Sequence, residues 1–120
     1  MEIKTTDKIK ELQMRFNAAY SHLKLKFYNK GHEEFEGSSV RDEVDSDALV
    51  SKVNPTIKDG EIDISENVTV QELENNFEKD FGLHAQVFRK SNHLWLQTSA
   101  TDDWTLGEQQ RKGKNSVQDQ

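Results

Sequence analysis

Carboxylates, imidazoles and aromatic rings set among lysines are the groups in this chain with chemistry to offer, and their spacing decides which are credible. The densest oxygen cluster is His32-Glu33-Glu34 followed by Asp42-Glu43-x-Asp45-x-Asp47. A calcium loop needs oxygens at alternating positions, a glycine for the sharp turn and a distal bidentate Glu. No glycine stands at the required place, so the run reads as a solvated acidic loop. The four histidines, His22, His32, His84 and His93, form no H-x-x-x-H or H-E-x-x-H pair of the kind that grips zinc. No serine lies in a G-x-S-x-G elbow. The six glycines make neither G-x-G-x-x-G nor G-x-x-x-x-G-K-[ST], which removes the usual phosphate cradles. There is no cysteine, so disulfides, thiolate nucleophiles and thiolate metal sites are excluded. Glu72 and Glu74 flank Leu73 on a helical pattern and are expected to point outward, with neither desolvation nor a close like charge to raise their pKa. No catalytic residue, metal site or cofactor is assigned on these grounds.

Aromatics interleaved with cations at strand period make the stronger pattern. Leu83-His84-Ala85-Gln86-Val87 alternates, as a strand with one buried face does. A Ser91-Asn92 turn would send the chain back through His93–Ser99. That turn sets Lys90 opposite His93, Phe88 opposite Trp95 and Gln86 opposite Gln97. One face then shows Phe88 and Trp95 flanked by His84, Lys90 and His93, while Ala85, Val87, Arg89, Leu94 and Leu96 turn toward helices. The upstream run Leu23-Lys24-Leu25-Lys26-Phe27 also alternates, and adds His22, Lys24, Lys26 and Tyr28 on the corresponding side. Such a surface anchors a protein partner or stacks single-stranded bases. The predicted interaction surface is therefore Phe88, Trp95, Lys90, His93, His84, Tyr28, Lys26 and Lys24. The leading function is a non-enzymatic protein-interaction module whose partner is another protein or a second copy in a homodimer. Single-stranded nucleic-acid binding and small-ligand binding are the alternatives.

The elements that must carry this surface occur twice. Ile9, Leu12, Phe16 and Tyr20 recur as Val70, Leu73, Phe77 and Phe81 at an offset of 61 residues. The spacing of 3, 4 and 4 puts each set on one helical face. Each helix is preceded by a short strand, Glu2-Ile3-Lys4 or Glu61-Ile62-Asp63-Ile64, and followed by one of the alternating runs. Asp45-Ser46-Asp47-Ala48-Leu49 further matches Asp102-Asp103-Trp104-Thr105-Leu106 as a helix start. The expected order is β-α-β-β-α, twice, in pseudo-repeats at about 1–53 and 60–110, with the first half's third strand near Glu34–Ser38. Thr69-x-x-Glu72 and Thr105-x-x-Glu108 have the form of capping boxes, Thr6 or Asp7 serves to cap the first helix, and Gly82 suits a left-handed helix end. The fold class is α+β, with helices on one face of a mainly antiparallel sheet.

Within this pattern, Thr69-Val70-Gln71-Glu72-Leu73-Glu74, Phe77, Phe81-Gly82-Leu83, Gln86-Val87 and Trp104-Thr105-Leu106 resemble a group of small uncharacterised bacterial α+β domains. Those share a T-V-x-x-L-E helix, an F-G-L strand entry and a later T-L helix start. The likeness covers roughly residues 61–110, with a looser echo in 1–50. It consists of caps and core positions, so it implies a fold and brings no activity.

At 120 residues the chain suits a single domain, drawn here as 1–110 with an acidic loop at 31–47 and a disordered polar tail at 111–120. Its hydrophobic share of 32% is below the roughly 45–50% of ordinary domains, a figure that also counts glycine, so the core is thin. The polar start and the lack of an apolar run near the roughly 18–20 residues of a membrane span point to the cytoplasm and away from membranes. The net charge of −6 is unevenly spread. Residues 1–30 hold seven Lys/Arg against three Asp/Glu, and residues 31–80 hold four against fifteen. The acidic balance disfavours nonspecific nucleic-acid binding, yet leaves room for a local basic face.

Overall fold

The structure is a computed structural model that describes residues 1–29 and 42–118. In chain order its elements are β1 (Glu2–Ile3), α1 (Ile9–Ala19), β2 (Leu23–Tyr28), α2 (Val50–Val53), β3 (Gly60–Glu61), α3 (Val70–Phe81), β4 (His84–Ser91), β5 (Leu94–Gln97) and α4 (Leu106–Gln118). A 3-10 turn at Ser99–Thr101 precedes α4. The class is α+β, as expected, but the strands form two antiparallel sheets. β1 pairs with β3, and a larger sheet runs β2-β4-β5. The strand expected near Glu34–Ser38 and most of the 31–47 loop lie outside the described residues.

The helical periodicity does what its spacing dictates. Ile9, Leu12, Phe16 and Tyr20 of the α1 turns, and Val70, Leu73, Phe77 and Phe81 of α3, are all buried. They press on Leu23, Leu25 and Phe27 of β2 and on Ala85 and Val87 of β4, all buried and all on one face of the sheet. α1 packs chiefly on β2, while α3 and α4 pack on β4. Phe27 meets Phe77 edge to face at 5.3 Å. Each fully buried side chain of this kind contributes roughly 1.5–3 kcal/mol, so the two layers hold together on about twenty apolar residues.

Local chemistry sets the helix ends. For α3, the Thr69 hydroxyl accepts the Glu72 N–H at 3.1 Å. Gly82 then turns left-handed, with φ 62°, and the Leu83 N–H reaches back to the Phe77 carbonyl at 3.1 Å. Asn54, which follows α2, donates its amide to the Phe81 carbonyl at 2.6 Å and locks the same corner. The cap of α1 is one residue later than expected. Lys8 is the cap, and the Glu11 carboxylate accepts its N–H at 2.9 Å. Asp7 instead takes the Lys4 N–H and a bidentate pair from Arg15 at 2.6 and 2.8 Å. The Arg15 hydrogen bond outweighs burial and holds the Asp7 carboxyl below the usual carboxylate range.

Residues 111–118, expected to be a disordered tail, continue α4 instead. Thr105 and Glu108 complete a reciprocal capping box, at 3.1 Å in both directions. The helix then docks by polar groups and by close backbone approach. A Cβ at Gly113 would lie 3.0 Å from the His22 Cβ. Gln110 accepts the His22 N–H, and Ser116 donates to the Lys90 carbonyl. No hydrophobic stripe announces a helix held this way.

Each long central helix also starts under a backbone clamp from later in the chain. The Ile9 and Lys10 N–H groups donate to the Ala48 and Ser46 carbonyls, and the Val70 and Gln71 N–H groups donate to those of Trp104 and Asp102. Returning bonds run from the Val50 N–H to the Asp7 carbonyl and from the Leu106 N–H to the Val68 carbonyl. These bonds match Ala48 with Trp104, one residue off the alignment expected from the two acidic helix starts.

Gly82 gives the sharpest stability test. A methyl there would collide with the Asn54 side-chain nitrogen, at a φ that side chains avoid. Gly82→Ala should destabilise the domain by about 1–2 kcal/mol from the backbone alone, with more from the displaced Asn54. Thermal or urea unfolding followed by circular dichroism will show it.

Candidate interaction surface

β4 and β5 pair through Ser91↔Leu94, Lys90↔Trp95, Arg89↔Leu96 and Phe88↔Gln97. The turn is thus Asn92-His93, one residue beyond the expected Ser91-Asn92. Asn92 takes φ 55°, the left-handed geometry that a two-residue hairpin demands and Asn tolerates. A one-residue move of the turn changes every pairing by two, so side-chain facing survives while partners change. Phe88 and Trp95 lie on the side away from α1 and α3. Lys90, not Phe88, stands opposite Trp95, and His93 leaves the strand for an exposed turn.

Across the other ladder, Lys24 pairs with Phe88, Lys26 with Gln86 and Tyr28 with His84. Three ammonium groups close over the two rings. Lys24 Nζ lies 4.7 Å from the Trp95 ring centre and 6.0 Å from that of Phe88. Lys26 Nζ is 5.1 Å from Phe88, and Lys90 Nζ is 5.1 Å from Trp95. These are cation–π distances. Burial depresses the Lys24 pKa, and Lys26 and Lys90 push it the same way against the pull of Glu43. Glu43 reaches Lys26 at 3.3 Å because residues 42–44 return along β2, with the Asn29 N–H on the Asp42 carbonyl and the Val44 N–H on the Phe27 carbonyl.

The middle of this face is closed, contrary to the open sheet expected from alternation. Tyr28, Gln86 and Phe88 are only 1%, 0% and 8% exposed. Trp95 is half-buried and keeps an edge in solvent. His84 sits at the end of the face, 3.8 Å from Glu78 of α3. His22 does not join the surface, because its backbone and ring are bound by Gln110 of α4. The predicted residues therefore divide: Lys24, Lys90 and Trp95 form an accessible cluster at the β5 side, with Lys26 beside it, while Phe88 and Tyr28 lie beneath.

How the sheet edges are completed matters as much. Along the outer edge of β2, Gln13 donates to the Leu25 carbonyl at 3.0 Å and Asn17 to the Leu23 carbonyl at 2.8 Å. Beyond the end of β5, the Val87 carbonyl takes the Thr98 N–H and hydroxyl at 3.1 and 2.9 Å, and the Val87 N–H goes to the Glu74 carboxylate at 3.0 Å. Glu74 is therefore buried and turned inward, not outward. Its charge is spent on a strand N–H that has no strand partner.

At Trp95 the far edge of β5 has no such cover among the described residues. The Lys90 N–H bonds to the His22 carbonyl, so Lys90 turns to β2, and Arg89 and Ser91 turn to β5. In that antiparallel alternation Leu94 and Leu96 bond inward, and the Trp95 N–H and C=O point away from the sheet. Among the described residues neither group has a hydrogen-bond partner. Leu94 and Leu96 were expected beneath helices but are 65% and 41% exposed, because the helices reach β4 and stop there. The uncharged run Leu94-Trp95-Leu96-Gln97, ahead of a helix with hardly any apolar residues, was the available signal for this.

No family model, curated protein or solved structure matches the chain. Among the described residues, no helix is long and apolar enough to cross a membrane, and no three His, Asp or Glu side chains gather as metal ligands would.

The two tyrosines offer a pH test of the closed face. Burial, aided by Glu43, pushes Tyr28 up to about 12, and burial, then Glu66 and Asp63, raises Tyr20. Absorbance at 295 nm should rise later in the folded protein than for free tyrosine, with the Tyr28 step near pH 12. Unfolded tyrosines ionise near 10, so the neutral phenols contribute stability below about pH 10 that is lost as pH climbs toward 12. For Tyr28 the slope is up to about 1.4 kcal/mol per pH unit, and Tyr28→Phe should remove that share.

Proposed function

We propose that this chain is a non-enzymatic protein-interaction module that binds through β5, by addition of a partner strand to its free edge with Trp95 as the anchoring ring. One observation carries the reading. In the three-stranded sheet, the Leu23 and Leu25 carbonyls of β2 and the Val87 N–H and C=O of β4 are met by side chains and residues 42–44 return along β2, whereas among the described residues the outward Trp95 backbone groups of β5, between two exposed leucines, meet no partner. Exposed apolar edge strands template pairing with another chain unless they are blocked by charge, proline or a cover. Leu94–Gln97 contains no charge and no proline. Tryptophan is also among the residues that most often dominate interface energy.

Single-stranded nucleic acid is the second reading, supported by Lys24, Lys26 and Lys90 beside Trp95. It has less support, since buried Phe88 leaves one stacking platform and Glu43 offsets Lys26. We also read the chain as a pseudo-repeat of two halves, on the matched clamps at the starts of α1 and α3 and on the cross-half pairing of β1 with β3 and β2 with β4.

A photo-crosslinking phenylalanine at position 95 tests the docking edge in intact cells. Trp95 should yield a discrete protein adduct, and the exposed α3 position Asn75 should not. The reading is wrong if position 95 gives no adduct, or if both positions label alike.

A further inference from the structure

We propose that the strand added to β5 is the β5 of a second copy, joined antiparallel about a twofold axis through Trp95 into one six-stranded sheet. This rests on the reading of β5 as a docking edge, and goes further by naming the occupant and its register. Because the Trp95 N–H and C=O both point outward, an antiparallel pairing centred there lets each Trp95 donate to and accept from the other, as one closely bonded pair.

That register is self-complementary. It sets Leu94 of one copy opposite Leu96 of the other, twice, so the two large apolar side chains that the edge leaves exposed cover one another on a single face. The two Trp95 rings meet on the opposite face. Each is already held over its own strands by Lys24 and Lys90, so little side-chain freedom remains to be lost on association. A foreign strand would have to bring a matching apolar pair, whereas a second copy carries it in the right order.

Charge points the same way. The acid-rich residues 42–47 lie beside β2, at the other side of the sheet from β5. A chain of net charge −6 therefore meets its copy at an edge strand that itself carries no carboxylate.

Light scattering coupled to size exclusion, over a concentration series, tests this. The unaltered protein should rise toward twice its chain mass. The double variants Leu94→Lys with Leu96→Lys, and Leu94→Glu with Leu96→Glu, should each stay at the single-chain mass with unchanged circular dichroism, since both leucines are exposed in the single chain. Mixed in equal amounts, they should recover the doubled mass, because each Lys then faces a Glu. In this cysteine-free chain, a mixture of Leu94→Cys and Leu96→Cys proteins should also form an inter-chain disulfide on mild oxidation, faster than either alone. The proposal is overturned if the unaltered protein keeps single-chain mass throughout, if the Lys variant still doubles, or if the mixture fails to pair. An adduct at position 95 to a different protein, with the chain itself single, would overturn this inference and leave the docking edge standing. Absence of any adduct would remove both.

Discussion

Backbone hydrogen bonds at the rims of a small sheet must be met, and in this chain the helices send side chains to meet them. Gln13 and Asn17 cap carbonyls of β2, and Glu74 takes a strand N–H of β4 where β5 has run out. A buried polar group left alone costs about 1–3 kcal/mol, a large share of the stability of a domain this size. A core thin in apolar residues cannot absorb many such losses. That economy makes Trp95 informative, since among the described residues its outward backbone groups have no partner. The chain sends side chains to several other rim groups of the larger sheet, and at β5 it places leucines and a tryptophan where a lysine or proline would have been protective.

Charge is laid out by segment, and the structure shows what the layout accomplishes. The lysine-rich first quarter lies against the acidic run that follows it, through Lys10 with Asp47 at 3.0 Å and Lys26 with Glu43 at 3.3 Å. Pairs as exposed as Lys10 and Asp47 are screened by solvent and add little to stability. Their value lies more in alignment, since they favour the return of residues 42–47 along β2 over other placements. Lys24 and Lys90 form no salt bridge with a carboxylate among the described residues, and they rest on aromatic faces instead.

What the sequence disclosed and what it hid divide along physical lines. The helices of α1 and α3, the strands that follow them, the Gly82 helix end and both threonine caps were readable, because each depends on residues within a turn or two. The facing of Phe88 and Trp95 was readable too, since strand alternation is local, although the turn stood one residue from its expected place. The burial of Tyr28 and Phe88, the inward turn of Glu74 and the exposure of Leu94 and Leu96 were not readable. Each is decided by which distant element happens to lie overhead. The extension of α4 escaped for a related reason: Gly113, Gln110 and Ser116 dock it through closeness and hydrogen bonds, and polar periodicity resembles a solvated tail.

The clamps at the helix starts carry a consequence for how this molecule reaches its native state. The opening N–H groups of α1 find their acceptors at residues 46 and 48, and those of α3 find theirs at 102 and 104. β2 finds its six-residue ladder in β4, some sixty residues downstream. Little of the structure can therefore be secured by neighbours alone, and assembly waits on the closure of long loops. Topologies of that kind reach their transition state slowly for their length, so a nascent chain would remain incomplete until β4 emerged, with the first half exposed in the meantime.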